Sequence, residues 1–148
     1  MYKTVVETYG KDILQSEKLN ETKKFIQHAN VSVYEHSYAV AIMCVRIAVF
    51  LPFRVDVKSL VRGALLHDYF LYDWHIADKS HKWHGFKHAN TALLNACRDF
   101  ELNEIEKNMI KTHMFPLNIA LPKYRESIIL CIADKMCAAK ETATGILK

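Results

Sequence analysis

Ala64-Leu65-Leu66-His67-Asp68 is the stretch that decides how this chain folds. Extended backwards, it places Val57, Leu60, Val61, Ala64, His67 and Asp68 at offsets 0, 3, 4, 7, 10 and 11, one stripe of an α-helix. An imidazole and a carboxylate therefore occupy positions where the stripe asks for leucine. A buried carboxylate with no partner is costly, so a cation, a hydrogen-bond network or a protonated neighbour has to reach Asp68.

Working outward, Ser32-x-x-Glu35 has the form of a capping box. It predicts a helix to about Leu51 with His36, Val40, Met43, Cys44 and Ile47 on one face. Pro52 closes that helix, and Asp56 caps the one carrying His67 and Asp68. Upstream, a short helix is expected over Val5 to Leu14, and another from an Asn20 cap through Glu21 to His28, with a break at Asn30.

Downstream, Tyr69 to Lys82 is aromatic and polar without a helical period, which predicts a loop of functional length. A helix follows from about Phe86 to Cys97, with His88, Ala92, Asn95 and Ala96 on one stripe. Asn103-x-x-Glu106 opens another, on which Ile105, Met109 and His113 recur up to Pro116. The last helix is expected from near Pro122 through Ile128 to Asp134 and on to about Lys140, leaving Glu141 to Lys148 frayed. With four glycines, three prolines and no sustained alternation, the pattern predicts an all-α fold: one compact helical bundle over residues 1–148, its core at about 30–140.

A chain of 148 residues, 51% of them hydrophobic, holds one well-packed domain and is too short for two ordinary ones. The net charge of +4 is scattered, without the dense basic stripe that nucleic-acid binding calls for, so no nucleic-acid partner is expected. Cys44, Cys97, Cys131 and Cys137 form no close Cys-x-x-Cys pair and sit in apolar runs, the usage of buried free thiols in a reducing cytosol. The N-terminus is polar, and the apolar run Val40 to Phe53 is interrupted by Arg46 and Pro52. The expectation is a cytoplasmic protein with no membrane partner.

Five predicted helices thus each bring a His or an Asp to an otherwise apolar face: His36, the His67-Asp68 pair, His88, His113 and Asp134. Imidazole nitrogen and carboxylate oxygen are ligands that Fe, Mn, Ni, Co or Zn accepts. At this point the sequence resembles the HD-domain superfamily of metal-dependent phosphohydrolases. The resemblance lies in the order His, His-Asp, Asp, here His36 in Glu-His-Ser-Tyr-Ala-Val, His67-Asp68 in Ala-Leu-Leu-His-Asp, and Asp134 in Ile-Ala-Asp-Lys.

The resemblance implies that His36, His67, Asp68 and Asp134 bind one divalent ion. In a subset of the family two further histidines hold a second ion. His88 in His-Ala-Asn-Thr-Ala-Leu-Leu and His113 in Lys-Thr-His-Met look like that pair, with Asp68 as the bridge. It implies a phosphoester of a small molecule or a nucleotide as substrate, cleaved by metal-activated water, with His67 and Asp68 at the centre of catalysis. Independently of the family, two divalent ions against two carboxylates leave a net positive centre that attracts phosphate.

Departures narrow this. His67-Asp68 is followed by Tyr69-Phe70-Leu71 and no Gly-Tyr-Pro occurs, which disfavours the cyclic-dinucleotide branch. Ala89 stands where relatives often have proline after the histidine, leaving open whether His88 or His84 is the ligand. His84, Lys87 and Lys135 are further candidates for contacts to substrate. His28, His75 and His81 read as surface residues, and Trp74 and Trp83 as either core or pocket mouth. Two alternatives stay open, a di-iron oxygenase built on the same ligands and a metal-stabilised ligand-binding domain without catalysis. A homodimer is a further expectation left open.

Overall fold

The computed structural model describes residues 1–72 and 84–146, with every side chain except those of 84–86 and 146. It is all-α, as expected, with eight α-helices among the described residues. In order these are α1 (Tyr2–Tyr9), α2 (Lys11–Leu14), α3 (Glu17–Glu21), α4 (Val33–Phe50), α5 (Val57–Leu66), α6 (His84–Asp99), α7 (Glu104–Thr112) and α8 (Arg125–Ile146). Between α3 and α4 lie a 3₁₀ turn, Thr22–Lys24, and an antiparallel hairpin of β1 (Ile26–His28) and β2 (Val31–Ser32).

The predicted caps form. Ser32 Oγ accepts from the Glu35 amide at 3.2 Å while the Ser32 amide donates to Glu35 Oε2 at 2.9 Å. Asn103 and Glu106 repeat the exchange at 2.9 and 3.1 Å. Asp56 Oδ1 accepts from the Ser59 amide at 3.0 Å. Each such cap contributes about 1 kcal/mol and fixes where its helix starts.

Other expectations are corrected. The first helix is split at Gly10, where a Cβ would run into Leu65 of α5, so the chain bends around that close approach. Asn20 does not open a helix to His28. It lies inside α3, its side chain donating to Ser16 O at 2.9 Å, and the chain then leaves helical geometry to pair as β1 and β2. The last helix opens at Arg125 and continues past Lys140 to Ile146, so Glu141 belongs to α8 and not to a frayed tail. The predicted loop from residue 73 to its end at Lys82, with Trp74, His75 and His81, lies outside the described residues, as does Trp83.

α4 packs against α5 and α8. Val40, Ala41, Cys44, Leu60, Ala64 and Leu130 are fully buried at this junction, and burying a leucine contributes about 2 kcal/mol. α4 is also long and apolar enough, by length and composition, to cross a membrane, and 39% of it is buried within the bundle. At Gly63 a Cβ would come within 2.6 Å of Met109 Sδ, so α5 and α7 approach closely and their C-terminal ends lie side by side. All four cysteines are free; Cys44, Cys131 and Cys137 are buried, whereas Cys97 is exposed.

Candidate metal centre

His67 and His113 are held by the same local device. Each is the C-cap residue of its helix, α5 and α7. His67 Nδ1 lies 2.7 Å from Ala64 O, and His113 Nδ1 lies 2.7 Å from Ile110 O. A carbonyl only accepts, so Nδ1 carries the proton in both rings, and the bond satisfies an orphan carbonyl at the helix end. The remaining nitrogen, Nε2, is turned inward, and the two rings sit edge to face with centroids 4.9 Å apart.

His36 reaches the same place from the first turn of α4. Its Nδ1 donates to Glu141 Oε2 at 2.9 Å, which turns Nε2 toward Asp134 Oδ1 at 3.0 Å. Asp134 Oδ1 also lies 3.5 Å from His67 Nε2. Asp68 stands between two sets of rings. Its Oδ2 faces His36 and His67 Nε2 at 3.7 and 3.3 Å, and its Oδ1 faces His88 and His113 Nε2 at 3.2 and 3.3 Å. His88 Nε2 and His113 Nε2 are themselves 2.9 Å apart.

The six residues therefore form two overlapping donor groups: His36, His67, Asp68 and Asp134, and Asp68, His88 and His113. Within each, one ligand atom per residue lies within 4.8 Å of the others. His36, His67 and His113 are fully buried, and Asp68 is 2% exposed. Where Nδ1 is protonated, a neutral ring points the bare lone pair of Nε2 at carboxylate oxygens or at another imidazole. That juxtaposition is repulsive unless a positive charge lies between the partners. His67 Nε2 and Asp68 Oδ1 are buried without a hydrogen-bond partner, which is the condition a metal ion relieves. An all-nitrogen and oxygen donor set of this kind fits divalent Fe, Mn, Co, Ni or Zn.

The electrostatics carry the same signature. Burial opposes protonation of His36, but Asp134, Glu141 and Asp68 outweigh it and raise its pKa to about 9. His67 is raised well above its ordinary value against the same burial, by Asp68 and Asp134. Burial works against ionisation of Asp68 and Asp134 too, yet the surrounding histidines hold both carboxyls below the usual range. His113 is lowered, chiefly by burial. The centre thus demands cations and takes protons where no other cation is supplied.

Three residues that the sequence left unused also reach this centre. Gln27, 6% exposed on β1, donates from Nε2 to Asp68 Oδ2 at 2.6 Å. His28, expected at the surface, is half-buried with its ring edge to face with His36, centroids 5.2 Å apart. Glu141 is the third. It lies seven residues beyond Asp134, two turns along one helix face, and that spacing is its signal in the sequence. Of the other candidates, Lys135 lies at the rim, its Nζ donating to His113 O and Cys131 O, both at 3.4 Å. Lys87 is exposed on α6, and the His84 side chain lies outside the described residues.

A cavity of about 600 Å³ opens onto the centre, with Asp68, His88 and Asp134 among the residues that line it. Its size is that of a small-molecule site.

Compared with protein families, residues 33–139 match the family model described as HD domain. No curated protein and no solved structure matches the chain.

Proposed function

Because this chain belongs to the HD-domain family, which consists largely of metal-dependent hydrolases, we propose that it hydrolyses a phosphoester with the help of two divalent ions. In this reading His36, His67, Asp68 and Asp134 hold one ion, and His88 and His113 hold a second that shares Asp68. The observation that carries it is the convergence of four imidazole Nε2 atoms on Asp68, whose Oδ1 is buried without a hydrogen-bond partner. When bound, such ions stabilise charge on phosphoryl oxygens and lower the pKa of water.

The chain's own residues supply positioning. Ala64 O, Ile110 O and Glu141 fix three ring orientations, so the donor set is assembled before any ligand arrives. The Lys135 ammonium is anchored at the end of α7, where it meets a phosphoryl group entering from the cavity. In the net reaction a water oxygen bonds to phosphorus, the ester P–O bond breaks, and the alcohol leaves carrying a proton.

The test is demetallated full-length protein reconstituted with Mn²⁺, Co²⁺, Ni²⁺, Zn²⁺ or Fe²⁺. It is assayed for phosphate release from phosphomonoesters and nucleotides and, in parallel, for oxygen uptake. Release that depends on the added ion is the expected result. Two bound ions per chain without any phosphate release would overturn the proposal, and oxygen uptake in its place would assign an oxygenase.

A further inference from the structure

The cavity over the centre is chemically two-sided. Its floor is Asp68, His88 and Asp134, and at its rim stands Lys135. Met114, Pro116, Leu117 and Ala138, from the α7 to α8 connection and α8 itself, also line it, and most of the surface the cavity presents is apolar. Leu117 is 52% exposed, so apolar area at the mouth is left for a ligand to cover. Gln27 and His28 complete the described lining, and Gln27 Nε2 is already engaged with Asp68.

We propose that the ligand of this cavity is a phosphomonoester of an apolar alcohol or phenol, its phosphoryl group on the histidine and aspartate floor and its carbon portion against Met114, Pro116, Leu117 and Ala138. The inference rests on the phosphohydrolase reading and narrows its substrate class. Lys135, on the described lining, supplies an ammonium that can pair with a phosphoryl group. The mainly apolar lining disfavours polyols relative to apolar alcohols, because hydroxyls placed against Met114 lose water without gaining partners. A volume of about 600 Å³ accommodates a phosphate with a ring or a short chain attached.

Burying a methylene is worth about a fourfold gain in affinity, which sets the scale of the test. The full chain, loaded with Mn²⁺, is assayed with methyl, butyl and hexyl phosphate, whose leaving groups are chemically alike, and with glycerol phosphate. Binding of methyl-, butyl- and hexylphosphonate, which cannot be hydrolysed at an ester bond, is measured by calorimetry. The expected result is a rise in kcat/KM and in phosphonate affinity of up to about fourfold per methylene, carried by KM, with glycerol phosphate poorer than butyl phosphate. Leu117→Asp flattens both series, and Leu117→Ser flattens them less. Metal content and far-UV circular dichroism check that both variants are folded.

A flat series in wild type, or a preference for glycerol phosphate, overturns the inference while any turnover leaves the hydrolase reading standing. A sloped phosphonate series with no ester hydrolysed does the reverse: the apolar subsite stands and the hydrolase reading falls.

Discussion

His36 Nδ1 and Glu141 Oε2 stand 2.9 Å apart, joining the first turn of α4 to the last turns of α8 across 105 residues of sequence. A carboxylate behind an imidazole sets its tautomer and makes its far nitrogen more basic. Glu141→Ala should therefore weaken the ion on the His36 side by about 10- to 100-fold, with Glu141→Gln losing less because it still accepts a hydrogen bond. Chelator-competition titration reads both ions, and the His88 and His113 side should be little affected. Unchanged affinity at both positions would remove Glu141 from the centre.

Asp68 offers one oxygen to each set of histidines. Asp68→Ala should accordingly lose both ions, whereas His113→Ala should lose one and keep the ion held by His36, His67 and Asp134. Metal stoichiometry by elemental analysis after reconstitution separates the two outcomes. Equal loss from both variants would count against a shared carboxylate.

The six central residues were legible because each interrupts an apolar stripe, and a polar atom on a buried helical face is visible in the sequence as an error in period. Capping boxes at Ser32 and Asn103 were legible for the same kind of reason, since their chemistry is local. The hairpin was not. Its turn uses Ala29, which adopts φ 50°, and Asn30, with no Asn-Gly or Gly to announce a reversal, and its strands are too short to show alternation. The sequence pattern therefore points Gln27 and His28 into a helix, and His28 to the surface, where the fold has β1. Glu141 was lost because small and polar residues after Lys140 lower helix propensity, while tertiary contact with His36 holds the last turns in place.

Stability away from the centre should depend on Arg62. This buried guanidinium donates from Nε to Glu106 at 2.9 Å and from Nη2 to Glu101 O at 3.0 Å, and it also pairs with Asp12. Arg62→Ala leaves Glu106, 3% exposed, as a buried charge without its partner, so a loss of about 3–5 kcal/mol is expected in urea denaturation. Adding Glu106→Gln should recover part of that loss, because the amide oxygen still accepts from the Asn103 amide and the buried charge is gone.

The metal-free and metal-loaded protein should diverge in stability as pH rises. In the metal-free fold His36 is raised to about 9 from 6.5, and His67 is raised well above 6.5. Both bind protons more tightly folded than unfolded, so their contribution is complete below pH 6.5 and declines above it, that of His36 being lost as pH climbs through 9. Asp68 and Asp134, depressed below 3.8, contribute above that value and lose their contribution only in acid. His113 and His28, lowered mainly by burial, act below pH 6.5, where the unfolded chain takes protons that the fold refuses. Between pH 6.5 and 9 the raised pair therefore governs, and Tm in the presence of a chelator should fall with rising pH. A divalent ion competes with those same protons for Nε2, so the gain in Tm on adding Mn²⁺ should grow over the same interval. Differential scanning fluorimetry at pH 6.5, 7.5 and 8.5, with chelator and with Mn²⁺, measures both slopes; parallel slopes would mean that the ion and the protons do not share the His36 and His67 nitrogens.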